Sequence, residues 1–170
     1  MKIVSKTVLA FSLIIIVGCG GIGTTVFGQK TYKTEMLSVS VPKGWKAFPY
    51  YNMGSKKAMP GQVGIFKGAT KRIDLMSTPS IIINLHDDKD MSLPPKSSFT
   101  DIEDIQTFEL GNYEWLGFKG TNSANFRMAT LKGTGENHCF LLTILFKMGG
   151  KTISMDDADV QAIIKSIKVK

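Results

Sequence analysis

Leu37-Ser38-Val39-Ser40-Val41-Pro42-Lys43-Gly44-Trp45 alternates apolar and polar residues and then breaks at a Pro-Lys-Gly turn. Period-two alternation places Leu37, Val39 and Val41 on one face of a half-buried strand and the serines on the other. Pro42 and Gly44 stop the strand, and Trp45 follows the turn. This stretch sets the expectation of a β-rich domain.

Strand patterns recur outward from it, at residues 63–66, 81–85, 107–110, 113–120, 125–132 and 139–147. Two of these runs, Ile81-Ile82-Ile83-Asn84-Leu85 and Phe140-Leu141-Leu142-Thr143-Ile144-Leu145-Phe146, are apolar on both faces. Such strands need cover on both sides of a sheet. Glycine-bearing turns near residues 120–122 and 133–137 link the later strands as hairpins, which implies a largely antiparallel sheet. Helices supply cover. Ser154-Met155-Asp156-Asp157 reads as an N-cap with acidic residues in the first turn, and Val160, Ile163, Ile164 and Ile167 then form one apolar stripe. Thr100-Asp101-Ile102-Glu103 has the form of a capping box, with Ile102 and Ile105 inside and Gly111 beyond the end. A third helix is placed, weakly patterned, at residues 52–59. The expected class is α+β: a mainly antiparallel sheet flanked by a few helices.

The opening strand and its Pro-Lys-Gly-Trp turn, the antiparallel strands, and the closing Ile163-Ile164-Lys165-Ser166-Ile167-Lys168 together resemble the PsbP-like fold. That resemblance covers residues 32–170 and implies an antiparallel sheet sandwiched by helices. The fold occurs in a photosynthetic extrinsic protein and in many small bacterial lipoproteins. Its motifs are structural, so no catalytic residue is carried over. What it implies is a binding or scaffolding module, by analogy of fold alone.

The first residues carry a different signal. Lys2 and Lys6 precede an apolar run at residues 8–17 that is too short for an ordinary membrane span. Ile16-Val17-Gly18-Cys19 then resembles a lipobox, in which small residues precede a cysteine that takes a diacylglyceryl group. The expected organisation is a lipoprotein signal peptide at 1–18, a lipidated N-terminus and flexible tether at 19–31, and one domain at 32–170. Acyl chains on Cys19 would hold the protein to the extracytoplasmic side of the cell membrane, since each buried methylene contributes about 0.8 kcal/mol. Cys139 is then the remaining thiol, and its place in His138-Cys139-Phe140-Leu141-Leu142 predicts a buried, inert side chain.

Motifs for catalysis are missing: no hydrolase elbow, phosphate loop, dinucleotide fingerprint or zinc-peptidase pattern occurs. His86, Asp88 and Asp90 are the one set resembling a cluster of hard metal ligands, but the glycine and distal glutamate of a calcium loop are absent. They read first as a charged turn. His138 and Cys139 are neighbours on a strand and point to opposite faces, which disfavours a catalytic pair. No cofactor is expected.

Charge is unevenly distributed. The chain has 21 Lys+Arg against 14 Asp+Glu, a net charge of +7. Residues 43–72 hold seven basic side chains (Lys43, Lys46, Lys56, Lys57, Lys67, Lys71 and Arg72) and no carboxylate, whereas residues 73–114 hold nine acidic ones against Lys89 and Lys96. Strand pairing that interleaves the two segments would cancel the field. Separation would leave an electropositive surface for lipid headgroups, an acidic envelope polymer or a protein partner. Lys43, Lys46, Lys56 and Lys57 with the loop tyrosines Tyr50 and Tyr51 are its candidate residues, while Trp45 is expected in the core. The leading expectation is a lipid-anchored envelope module that binds a partner and is not an enzyme; nucleic acid is disfavoured for an exported protein. Two alternatives stand beside it: a small envelope enzyme with a carboxylate-based site, and an accessory solute-binding lipoprotein.

Overall fold

A computed structural model of the chain describes residues 25–26, 29–51, 57–71, 74 and 77–170. Cys19, Lys56 and Arg72 lie outside the described residues. The elements run β1 (Thr25–Val26), β2 (Gln29–Lys33), β3 (Leu37–Val41), β4 (Trp45–Tyr51), β5 (Ala58–Lys67) and β6 (Ser80–His86). Then come β7 (Phe99–Leu110), β8 (Tyr113–Asn122), β9 (Arg127–Thr134), β10 (Cys139–Leu145), β11 (Lys147–Met148), β12 (Lys151–Thr152), α1 (Ala158–Lys165) and β13 (Lys168–Val169). The fold is α+β and mainly antiparallel.

A seven-stranded sheet has the order β4-β5-β6-β10-β9-β8-β7, and a four-stranded sheet the order β1-β2-β3-β13. The two doubly apolar strands, β6 and β10, pair with each other near the middle of the large sheet. Only an interior position lets a strand bury apolar side chains on both faces. On one face, Val63, Ile65, Ile81, Ile83, Leu131, Leu142 and Ile144 join Leu37 and Val39 of β3 and Val160, Ile163 and Ile164 of α1 in one core. The stripe read from the sequence is the buried stripe of α1, and Ile167 is fully buried just beyond it.

The opposite face carries no α-helix among the described residues. Residues 87–98 run over it from β6 to β7, at the far edge. Near one end of the segment the Cys139 thiol donates to the Asp88 carbonyl at 3.3 Å. Near the other end Lys96 Nζ stands 5.9 Å from the centroid of the buried Phe118 ring.

Two expected helices are corrected. Residues 100–105 belong to β7, an edge strand, not to a helix. Register shifts between Thr100 and Glu103 and between Ile105 and Phe108 each insert an extra residue. A bulge makes residues three apart share a face, so Ile105 and Phe108 both pack on the core with helix-like spacing. The first bulge contains Asp101 at a φ of 50°. In the third expected helix, Ala58 and Met59 lie in β5, and residues 52–56 are outside the described set. Flanking helical elements among the described residues include α1 and a 3-10 turn at Lys96–Ser98.

Three smaller differences follow. The N-cap of α1 is Asp157 rather than Ser154, whose hydroxyl instead bonds Asp157 at 3.2 Å and organises the preceding turn. Tyr50 and Tyr51 end strand β4 and are not in a loop. Pro49 is tolerated there because β4 is an edge strand, where a missing N–H breaks no ladder. Lastly, Gln29, Lys30 and Thr31 are in strand β2, so the regular structure reaches into the stretch expected to be tether.

Candidate functional site

The sheet order decides how the charged segments sit. β4, which follows Lys43 and carries Lys46, and acidic β7 occupy opposite edges of the seven-stranded sheet. Six strand spacings of about 4.8 Å separate them by about 29 Å, several Debye lengths at physiological salt, where one is about 8 Å. The strands of the two segments that do pair, β5 and β6, bring no carboxylate against a lysine, and β4 and β7 do not pair.

The edges differ in how their charges are used. On β7, Glu103 pairs with Arg127 and Asp104 with Lys96. Both cations come from the chain next to that edge, so much of the acidic charge is answered locally. On the basic side, Lys67 pairs with Asp157 at 3.6 Å and stands 5.7 Å from the Trp45 ring centroid. Lys46 donates to the Thr70 carbonyl at 2.6 Å. No ion pair among the described residues involves Lys30, Lys33, Lys43 or Lys46.

These lysines border a groove between the β2–β3 hairpin and β4. A cavity of about 550 Å³ is lined by Lys30, Tyr32, Lys43, Trp45 and Lys46, among others. A second, of about 460 Å³, shares Tyr32 and adds Lys33, Glu35, Pro49, Met59 and Lys170. The floor is rigid where Trp45 is buried and its indole N–H donates to Asp159 of α1 at 3.0 Å. Trp45 is thus a core residue, as expected. Burial pushes the Tyr32 hydroxyl pKa up, and nearby Tyr51 adds to the effect. The loop behind Lys46 is held by Asp74, whose carboxylate accepts from the Lys71 N–H at 2.8 Å and from the Thr70 hydroxyl and N–H at 2.7 Å. Those bonds, the Lys71 N–H first, lower its pKa to about 2.

Of the expected surface residues, Lys43 and Lys46 line the groove and Tyr51 lies by Tyr32 at its side. Tyr50 does not join them. It is 39% exposed, and its ring lies beside Gly64 of β5. Lys57 is exposed just before β5. Lys30 and Tyr32 were missed because one was read as tether and the other as the first residue of the domain. The signal available was the basic, aromatic run Lys30-Thr31-Tyr32-Lys33 itself.

Among the described residues no group of three or more His, Cys, Asp or Glu side chains is placed to hold an ion, so His86, Asp88 and Asp90 are not brought together as one. The Asp88 carboxylate accepts the Asp90 N–H at 2.8 Å, closing a local turn. Cys139 is fully buried, and burial raises its pKa. His138 faces the other way, with ring centroids 5.8 Å from Tyr113 and 5.6 Å from Phe140. The two cannot act as a pair.

No family model and no curated protein matches the chain. Among solved structures, cyanobacterial PsbP (CyanoP) from Synechocystis sp. PCC 6803 is similar at 16% identity and a TM-score of 0.46, over 91% of this chain and 99% of that one. A protein from Bacteroides thetaiotaomicron is similar at 13% identity and a TM-score of 0.44; the match covers 79% of this chain and 45% of that one. Both likenesses are distant and carry no functional residue across.

Proposed function

We propose that the chain is a lipid-anchored, extracytoplasmic binding module of the bacterial cell envelope that takes an anionic partner on its basic edge. The observation that carries this reading is the pair of unlike edges: on the acidic one Glu103 and Asp104 are paired with Arg127 and Lys96, and beside the basic one Lys30, Lys33 and Lys43 are in no ion pair. The lipobox-like Ile16-Val17-Gly18-Cys19 supports the anchor and the location. A protein held at a membrane surface meets anionic headgroups and polymers at high local density, so modest electrostatic affinity suffices.

The test uses the full chain held in neutral phosphatidylcholine vesicles, mixed with solubilised anionic envelope material at low and high salt. Binding is expected at low salt and should fall strongly at high salt. The pair Lys43→Glu and Lys46→Glu should remove most of it. Absence of salt-dependent binding, or unchanged binding by that variant, would contradict the reading.

A further inference from the structure

We infer that the anionic partner of the basic edge is the headgroup surface of the membrane that anchors the chain, so that the domain stands with β4 and the Pro42-Lys43-Gly44 turn toward the bilayer; this rests on the reading of Cys19 as a lipid anchor and of the basic edge as the binding surface. Three observations lead there. The first is the reach of the chain. Cys19 precedes Thr25, the first residue of β1, by six residues. At no more than about 3.6 Å per residue, even full extension spans only about 22 Å. Thr25 pairs with Lys30 across β1 and β2, and the Cα atoms of such a pair stand about 5 Å apart. Lys30 lines the same cavity of about 550 Å³ as Lys43 and Lys46. An anchor at Cys19 therefore keeps this edge beside the headgroups at an effective concentration of the order of millimolar. A soluble anion has to arrive by diffusion, whereas the leaflet is always within reach.

The second observation is how the cations are presented. Lys43 is at the tip of a tight turn, closed by the Trp45 N–H donating to the Pro42 carbonyl at 3.1 Å, with Gly44 at a φ of 85°. The Gly44 carbonyl accepts the Gly68 N–H at 2.7 Å, which ties the tip to the end of β5. A Cβ placed at Gly44 would meet nothing within 4 Å, so the tip borders open space. Lys30, Lys43 and Lys46 are exposed, and no Asp or Glu among the described residues lines their cavity. A fixed, open turn can meet a plane of headgroups without rearranging.

The third is the placing of the opposite charge. With the β4 edge toward the bilayer, acidic β7 is held about 29 Å away along the sheet. The field of an anionic leaflet is screened over about 8 Å. The attraction is felt and the repulsion is not, which selects one orientation of the tethered domain.

The experiment places the full, lipidated chain in nanodiscs of phosphatidylcholine, with and without phosphatidylglycerol, a few phosphatidylcholine headgroups carrying a spin label. The readout is the ratio of paramagnetic broadening at the amides of residues 43–46 to that at residues 103–109. Phosphatidylglycerol should raise this ratio by about fivefold or more, and high salt should return it to the phosphatidylcholine value. Lys30→Glu and Lys43→Glu should each abolish most of the rise. Lys89→Glu, the same charge change on an exposed residue between β6 and β7, should leave it within about twofold. Circular dichroism of each variant checks that the fold is retained. A ratio that phosphatidylglycerol does not move, or broadening strongest on β7, would overturn the inference. If solubilised envelope material is still bound in a salt-dependent way, the basic-edge reading survives that result with a soluble partner. An equal loss in Lys89→Glu would show attraction by net charge and overturn the orientation. A chain that does not float with phosphatidylcholine vesicles would remove the anchor and sink both readings.

Discussion

The two edges of the large sheet make a useful contrast. β7 carries Asp101, Glu103, Asp104 and Glu109 on an exposed strand with two bulges. Its charge and irregular register discourage other strands from pairing with it, a common way to manage a free edge. Arg127 and Lys96 then limit the net field there. β4 is built otherwise: its first residue is buried and bonded to α1, the β2–β3 hairpin stands beside it, and Lys30, Lys43 and Lys46 line the groove between them. One edge is bulged and has two of its four carboxylates paired, and the other is fastened to α1 with Lys43 and Lys46 in no ion pair. A charged edge that served solubility alone would need no rigid floor.

Breaking the floor should have the largest effect. Trp45→Ala removes a buried ring and its bond to Asp159. Truncation of a buried aromatic typically costs about 3–5 kcal/mol, a large share of a total of about 5–15 kcal/mol. Chemical denaturation should register the loss as a lower midpoint. A midpoint unchanged by Trp45→Ala would mean that β4 is not fastened to the helix, and the contrast would fail.

At the acidic edge the corresponding change should be small. Arg127→Ala removes the partner of Glu103, whose side chain is 64% exposed. Exposed pairs contribute about 0–1 kcal/mol, so stability should fall by no more than that, and less at high salt. A loss above about 2 kcal/mol would show that the Arg127 contact supports the fold. The two edges would then differ less than described.

Much of this architecture is legible in the residues. Leu37, Val39 and Val41 alternate and are buried as the alternation requires. The double-faced apolarity of β6 and β10 foretells their central places. The stripe Val160, Ile163 and Ile164 is a helix face because nothing competes with its period. β7 was misread for a physical reason: bulges shift its alternation by one residue, and a strand carrying two of them imitates helical spacing. Pro49 hid β4, since proline in an interior strand would cost a ladder bond and only the edge position makes it harmless. Half of the site was readable as charge: Lys43 and Lys46 stand in a segment without carboxylates. The other half was not, because β2 reaches the groove only through its pairing with β3.

The most direct measurement is a map of amide chemical-shift changes as phosphatidylglycerol is added to the isotope-labelled full chain in neutral micelles. The changes should concentrate on residues 30–33 and 43–47, with those of β7 left in place, and they should disappear at high salt. Changes centred on β7, or spread evenly over both edges, would contradict the claim that the basic groove is the working surface.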